Sequence, residues 1–411
     1  MSRIAIVAME VKLAGERMGD TRARTLANML AARGHEVDLI TSSFQHWEKR
    51  QRDVEHFEPV VGERFNLVFL REPGYARDID IRRIRSHAVL AGKLSRYLKG
   101  HADGYDLIYA QMPPNDVALA AGRQAKQAGV PFVVDVCGLW PEAMRMVLDV
   151  PGLSSALFRG FSHDARETYR LASGVVGTSQ EFALRPFRDR PLDIPYRIVY
   201  PGCDLEVFDE GVARFGTYIE KPHGQFWVTY AGTLSSSNDL STLVKAVVLL
   251  EERGYRNIRV KLLGTGPAEK SLRKLVDELG APVDFEGYQP YQKMAVFLRK
   301  SNVVINSYVR KSARSISGKV GDYYASGHPI INTCSSEELQ AKIVADDVGI
   351  NIESGKPDVL ASAILKLYDD PVGSQDKGLR ARLIAEEEFD RPRSYRRIVE
   401  LIEQLLGNTA A

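Results

Sequence analysis

Val228-Thr-Tyr-Ala-Gly232-Thr-Leu-Ser-Ser-Ser-Asn-Asp-Leu-Ser-Thr-Leu-Val244 reads as an apolar strand, a turn of small residues and an amphipathic helix that turns Leu240, Leu243 and Val244 inward. A strand that passes through such a turn into a helix places unpaired backbone N–H groups and the positive end of a helix dipole side by side, which suits a phosphate. Gly232 lets a ligand approach the backbone closely. The same letters also describe a tight turn capped by Ser, Asn or Asp.

Strand-length apolar runs recur on both sides of this stretch. After 227–230 they occupy 260–263, 283–285, 303–306 and 330–332; before it they occupy 4–9, 37–40, 67–70, 107–110, 132–136 and 174–177. Helix-length segments such as 239–253 lie between most of them. Uninterrupted apolar strands alternating with helices mean parallel sheets covered on both faces, because a half-exposed strand would alternate in polarity. The proline-rich stretch 189–201 separates the two series and reads as a linker. The expected architecture is α/β, two Rossmann-like domains over 1–200 and 201–390 with a helix and tail over 391–411. In that tail Tyr395, Ile398, Leu401, Ile402 and Leu405 recur at helical spacing, on a helix over 392–406 able to pack on either domain.

Composition agrees. A chain of 411 residues exceeds one ordinary core. Its 55 basic and 53 acidic residues leave a net charge of +2, so no overall field draws the chain to nucleic acid or lipid. Cys137, Cys203 and Cys334 lie far apart without CxxC spacing, which argues against a disulfide framework or a structural zinc and fits a reducing cytosol. The first residues carry no cleavage-site pattern and no run of 18 apolar residues occurs, so a cytoplasmic protein without a membrane span is expected.

Three more turns carry chemistry. Lys261-Leu-Leu-Gly264-Thr-Gly266-Pro267 ends a strand and opens a helix, although GxGP alone also fits a simple turn. Val283-Asp-Phe-Glu-Gly287-Tyr288 presents an aromatic ring able to clamp a base. Ser315-Ile-Ser317-Gly318-Lys319-Val-Gly-Asp322 begins a helix: the Gly318 and Lys319 amides and the Lys319 ammonium suit a diphosphate, and Asp322, one turn on, suits the two hydroxyls of a ribose. A solvated helix with a capping serine is the alternative.

The order of these pieces resembles glycosyltransferase family 4, of the GT-B fold, over nearly the whole chain. Gly15-Glu-Arg-Met-Gly19-Asp20-Thr-Arg22 followed by Arg33-Gly34-His35-Glu36-Val37 is similar to the family's N-terminal pattern. Gly138-Leu139-Trp140-Pro141-Glu142 is similar to a stretch of members that build surface polysaccharides, and Tyr200-Pro-Gly202-Cys-Asp204 to the family's hinge motif. The resemblance implies a retaining transfer from a nucleotide sugar, UDP-linked first, to a glycan or lipid-linked acceptor, commonly without a metal or other cofactor. It implies a base near Gly264 and Tyr288, a ribose on Asp322, and a diphosphate on Gly232, Thr233, Ser317, Gly318 and Lys319, with the sugar facing Gly19 and Asp20. Lys319 and Asp322 are then the candidate catalytic residues. A non-catalytic GT-B subunit and a sugar-nucleotide epimerase are the competing readings.

The chain departs from the family where two cations are common, at Thr233 and at Asn238 or Asp239. The first of two acids spaced by eight falls on Arg314, and Gln111 stands where an acceptor-side histidine is usual. Arg82, Arg83, Arg85, Lys93, Arg96 and Lys99 form a basic helix with Ile84, Leu90, Leu94 and Leu98 available for an apolar face; it fits peripheral contact with anionic membrane or a solvated surface. No aromatic-basic interleaving supports nucleic-acid binding. Asp78-Ile-Asp80 spells a metal-nucleotide motif by coincidence, and His163 with Glu167 lacks a third metal ligand, so no metal site is expected.

Overall fold

The computed structural model describes all residues except 14–15, 17–20, 58–62, 78–79, 143–157, 189–190, 192, 311–315 and 410–411. It divides into two compact units, Met1–Val199 with Tyr395–Ala411, and Tyr200–Ser394.

In the first unit the strands are β1 (Arg3–Val7), β2 (Glu36–Ser42), the short hairpin β3 (Phe44–Gln45) and β4 (Arg50–Gln51), β5 (Asn66–Leu70), β6 (Leu107–Met112), β7 (Phe132–Val136), β8 (Gly174–Gly177) and β9 (Tyr196–Ile198). Helices α1 (Arg22–Ala32), α2 (Ile81–Lys99), α3 (Asn115–Ala128), α4 (Arg159–Leu171) and α5 (Gln180–Leu184) connect them. Seven strands form one parallel sheet in the order β5-β2-β1-β6-β7-β8-β9. Along each strand successive side chains enter opposite cores: Ala5, Val7 and Ile108 face one, Ile4, Ile6 and Leu107 the other. That double burial is why the strands read as continuous apolar runs.

The stretch expected to be a linker, 189–201, holds β9, which extends the sheet by pairing Val175 with Tyr196. Tyr-Arg-Ile is too short and too polar to register as an apolar run. Just past β9, the Val199 carbonyl accepts at 3.0 Å from Arg22 of α1, which is 1% exposed and also meets the fully buried Asp135 of β7 through two hydrogen bonds of 2.7 and 3.1 Å. Burial works against the Arg22 charge, but the facing Asp135 carboxylate holds its pKa well above the ordinary value.

The second unit repeats the plan with β10 (Phe226–Ala231), β11 (Ile258–Leu263), β12 (Val283–Gly287), β13 (Val303–Asn306), β14 (Ile330–Asn332) and β15 (Gly349–Asn351). Its helices are α6 (Leu205–Phe215), α7 (Leu240–Glu252), α8 (Glu269–Leu279), α9 (Tyr291–Lys300), α10 (Gly318–Ala325), α11 (Glu337–Ala345), α12 (Pro357–Tyr368), α13 (Pro371–Ile384) and α14 (Arg391–Ser394). The parallel strand order is β12-β11-β10-β13-β14-β15. Connections leave β10 and β13 in opposite directions, so a crevice opens beyond their C-terminal ends, where ligands of such sheets bind.

The helix expected over 392–406 is interrupted at Tyr395: α14 precedes it and α15 (Arg396–Thr409) follows. Tyr395, Ile398, Val399, Leu401 and Ile402 are fully buried in the first unit, in the core that holds Tyr109, Val133 and Val176.

Candidate active site

Three turns of the second unit meet at the crevice. Gly232, just past β10, has φ +148°, and its N–H donates to the Leu263 carbonyl at 2.9 Å. Gly264, just past β11, has φ +126°, and a Cβ built on it would stand 2.0 Å from the Gly232 carbonyl oxygen. A Cβ on Gly266 would stand 2.3 Å from the Leu234 carbonyl oxygen, and Leu234 N–H donates to the Thr265 carbonyl at 3.0 Å. Gly264 N–H in turn donates to the Gly287 carbonyl at 2.7 Å. These glycines are therefore required first for packing turn on turn, with ligand access a consequence of the thin backbone wall.

Gly232 differs. A Cβ there would stand 2.5 Å from Cε and 2.7 Å from Nζ of Lys319, so the space above the glycine is filled by the lysine of α10. The Lys319 ammonium donates to the Tyr230 hydroxyl at 2.9 Å and lies 4.7 Å from the Tyr230 ring centre and 5.1 Å from that of Tyr308. Removal from water lowers its pKa to about 8, which leaves it charged at neutral pH. Gly318 is exposed beside it; the Val320 N–H donates to the Ser317 carbonyl at 3.0 Å, while the Gly318 and Lys319 amides at the start of α10 have no backbone partner among the described residues. Ser317 precedes α10 without capping it, contrary to the capping alternative.

Asp322, one turn along α10, accepts from the Tyr291 hydroxyl at 2.8 Å through Oδ1. Burial raises its pKa to about 6 against the opposing effects of Tyr291 and Arg391. Tyr288 follows Gly287 (φ +65°) and is 54% exposed, so its ring is free to meet a planar base. Thr233 is exposed, but its carbonyl is fixed by the Tyr230 hydroxyl and the Asn238 side-chain amide, both at 2.9 Å. Asp239 is likewise structural: its carboxylate accepts from Thr242 at 2.6 Å and from the Gly355 N–H at 2.6 Å.

The structure thus brings Gly232, Thr233, Gly264, Ser317, Gly318, Lys319 and Asp322 to one sheet edge, with Tyr288 beyond β12 of the same edge. Gly19, Asp20 and Arg314 lie outside the described residues. Sequence reading missed Tyr230 and Tyr308, whose letters look like apolar strand and loop. Gln111 is set into β6 opposite Asp135, with its amide nitrogen buried and unpaired among the described residues.

Asp80 caps α2 by accepting from the Arg82 N–H at 2.9 Å, while Asp78 is outside the described residues. His163 is exposed, and Glu167 pairs with Arg170 at 3.5 Å. Leu90, Leu94 and Leu98 belong to the core, whereas Ile81, Ile84, Arg82, Arg85, Arg96 and Lys99 are exposed on α2. Among the described residues no helix is long and apolar enough to cross a membrane, and no three His, Cys, Asp or Glu side chains are grouped to hold a metal ion.

Residues 19–200 match the family model described as a glycosyl transferase 4-like domain, and residues 225–370 match glycosyl transferases group 1. No curated protein matches the chain in sequence. Among solved structures, sucrose-phosphate synthase from Thermosynechococcus elongatus is 19% identical over 99% of this chain and 100% of its own, with a TM-score of 0.71. The Anabaena protein HepE, solved in complex with UDP, is 15% identical over 98% and 100%, with a TM-score of 0.70. WaaG, a glycosyltransferase involved in lipopolysaccharide biosynthesis, is 14% identical over 96% and 98%, with a TM-score of 0.63. At these identities the likeness speaks for the fold, while the two family models, one on each half and together spanning most of the chain, speak for the family. The chain is a glycosyltransferase of the family 4 type, built on the GT-B fold.

Proposed function

We propose that the second unit binds a nucleotide-diphosphate sugar, UDP-linked first, and that the enzyme transfers the sugar with retention to a glycan or lipid-linked acceptor in surface polysaccharide or glycolipid assembly. The observation that carries this reading is the convergence of Lys319, the start of α10 and the Gly232 turn at the crevice between β10 and β13. A desolvated ammonium beside the Gly318 and Lys319 amides, which have no backbone partner among the described residues, is matched to a diphosphate, which gains negative charge as the sugar departs. Asp322 keeps Oδ2 for the ribose hydroxyls while Tyr291 holds Oδ1, and Tyr288 covers the base. UDP is the first choice because HepE, similar over nearly its full length, was solved with UDP. With Lys319 supplying positive charge, transfer proceeds without a metal ion, and activity in excess EDTA checks this.

The deciding measurement is thermal stabilisation of the purified protein by UDP-, GDP-, ADP- and dTDP-sugars, repeated with Lys319→Ala. A shift with one base that the variant loses supports the reading. No shift with any of them returns the chain to the non-catalytic reading, and interconversion of a donor without acceptor would make it an epimerase.

A further inference from the structure

We propose that Tyr230 and Tyr308 are positioning residues of the donor site: from β10 and from the segment just after β13, the two strands that flank the crevice, they form a cage that holds the Lys319 ammonium in place before the diphosphate arrives. This rests on the donor-site reading above.

Each wall is fixed independently of the lysine. Tyr230 is fully buried in β10, and its hydroxyl donates to the Thr233 carbonyl at 2.9 Å. A hydroxyl has one proton, so that bond leaves it only the acceptor role toward Lys319 Nζ, also at 2.9 Å. Tyr308 is held by its backbone: its N–H donates to Thr333 Oγ1 at 2.7 Å, and Thr333 Oγ1 donates to the Tyr308 carbonyl at 2.8 Å. Thr333 is itself fixed by an N–H bond of 3.0 Å to the Asn306 carbonyl. Behind it runs an amide ladder across three strand ends, Asn306 to Asn332 and Asn332 to Asn351, each bond 2.8 Å and each pair in register.

Lys319 enters this frame where Gly232 leaves room, its ammonium at the Tyr230 hydroxyl and 5.1 Å from the centre of the Tyr308 ring. One of its three N–H bonds goes to Tyr230 and two remain to be given to phosphate oxygens. A free lysine must surrender the rotamer freedom of a four-carbon stem, and much of its hydration, when it grips an anion; here both costs fall on folding. The titratable groups packed near it from β10, from the segment after β13 and from its own helix are Tyr230, Tyr308 and Tyr323, whose hydroxyls burial keeps neutral well past pH 8. Asp322, further along α10, is engaged with Tyr291.

The test uses the full chain and whichever of UDP, GDP, ADP or dTDP the wild type binds, with the matching nucleoside as control, titrated by calorimetry from pH 6.5 to 9.5. Tyr230→Phe keeps the ring and deletes the hydroxyl; Tyr308→Leu deletes a ring. Each is expected to weaken the nucleotide five-fold or more and to leave the nucleoside unaffected, because the cage acts only on the phosphates. In Tyr230→Phe the ammonium loses an acceptor, so the fall in affinity at alkaline pH should begin at lower pH than in the wild type. If both variants bind the nucleotide as the wild type does, while Lys319→Ala does not, the cage is refuted and the donor site stands. Equal losses for nucleotide and nucleoside would assign the tyrosines a merely structural role and also refute it. Failure of the wild type to bind any of the four would refute the donor-site reading, and the cage with it.

Discussion

Asp322, a part-buried carboxylate of the proposed donor site, ties stability to pH. Its pKa of about 6 means the native state keeps a proton that the unfolded chain releases near pH 4, about the usual value for aspartate. Its contribution to stability is therefore fully present below about pH 4 and is lost as pH rises through about 6. Urea denaturation between pH 4 and 7 should show this slope in the wild type and a flatter one in Asp322→Asn. Donor affinity should run the other way, falling below about pH 6 as the carboxylate gains a proton; the asparagine variant should bind more weakly throughout and lack that limb. Gly264 makes a sharper claim, since an alanine would need a strained φ and would press its Cβ to 2.0 Å from the Gly232 oxygen. Gly264→Ala should cost roughly 2–4 kcal/mol of stability, at the upper end of single substitutions, measured by chemical denaturation. Neither effect is legible in the sequence. GTGP announces a turn, but the neighbour that forbids a side chain at 264 lies more than thirty positions away, and the aspartate's letter says nothing about its burial.

At the level of elements, α1 is fastened through Arg22 to Asp135 of β7 and to the backbone of Val199. Removing one member of a buried pair leaves an uncompensated charge, so Arg22→Ala should lose roughly 3–5 kcal/mol in urea denaturation, and adding Asp135→Asn should recover part of it. Helix α2 is read differently. Three of the leucines that its sequence offers to a membrane are spent on the core, leaving Ile81 and Ile84 with Arg82, Arg85, Arg96 and Lys99 outward. We propose that this face contacts anionic lipid. Arg82→Glu with Arg85→Glu should then reduce sedimentation with phosphatidylserine vesicles at least ten-fold at low salt and leave binding to neutral vesicles unchanged. Elements buried on both faces were plain in the sequence, as 132–136 and 303–306 show, because double burial demands unbroken apolar runs. The edge strands β9 and β15 were not, being three residues each at the margins of their sheets, where burial is partial and polar letters are tolerated.

For the molecule as a whole, two Rossmann-like units could be expected from the restart of the strand pattern, but the home of the last helix could not. An amphipathic stripe records that a face is buried without recording against what. With Tyr395, Ile398, Leu401 and Ile402 fully buried in the first unit, at about 1.5–3 kcal/mol for each such side chain, that unit depends on the end of the chain. A variant ending at Ser394 should lose the calorimetric transition of the first unit, or shift it down by more than about 10 °C, while the nucleotide-responsive transition of the second survives. The same feature has a consequence for biogenesis. On the ribosome the residues of the first unit emerge first, yet the apolar wall around Tyr109, Val133 and Val176 stays uncovered until residues 395–409 have left the exit tunnel. The second unit, whose chain is by then complete, has no such wait, so the half of the enzyme made first is the half that finishes folding last.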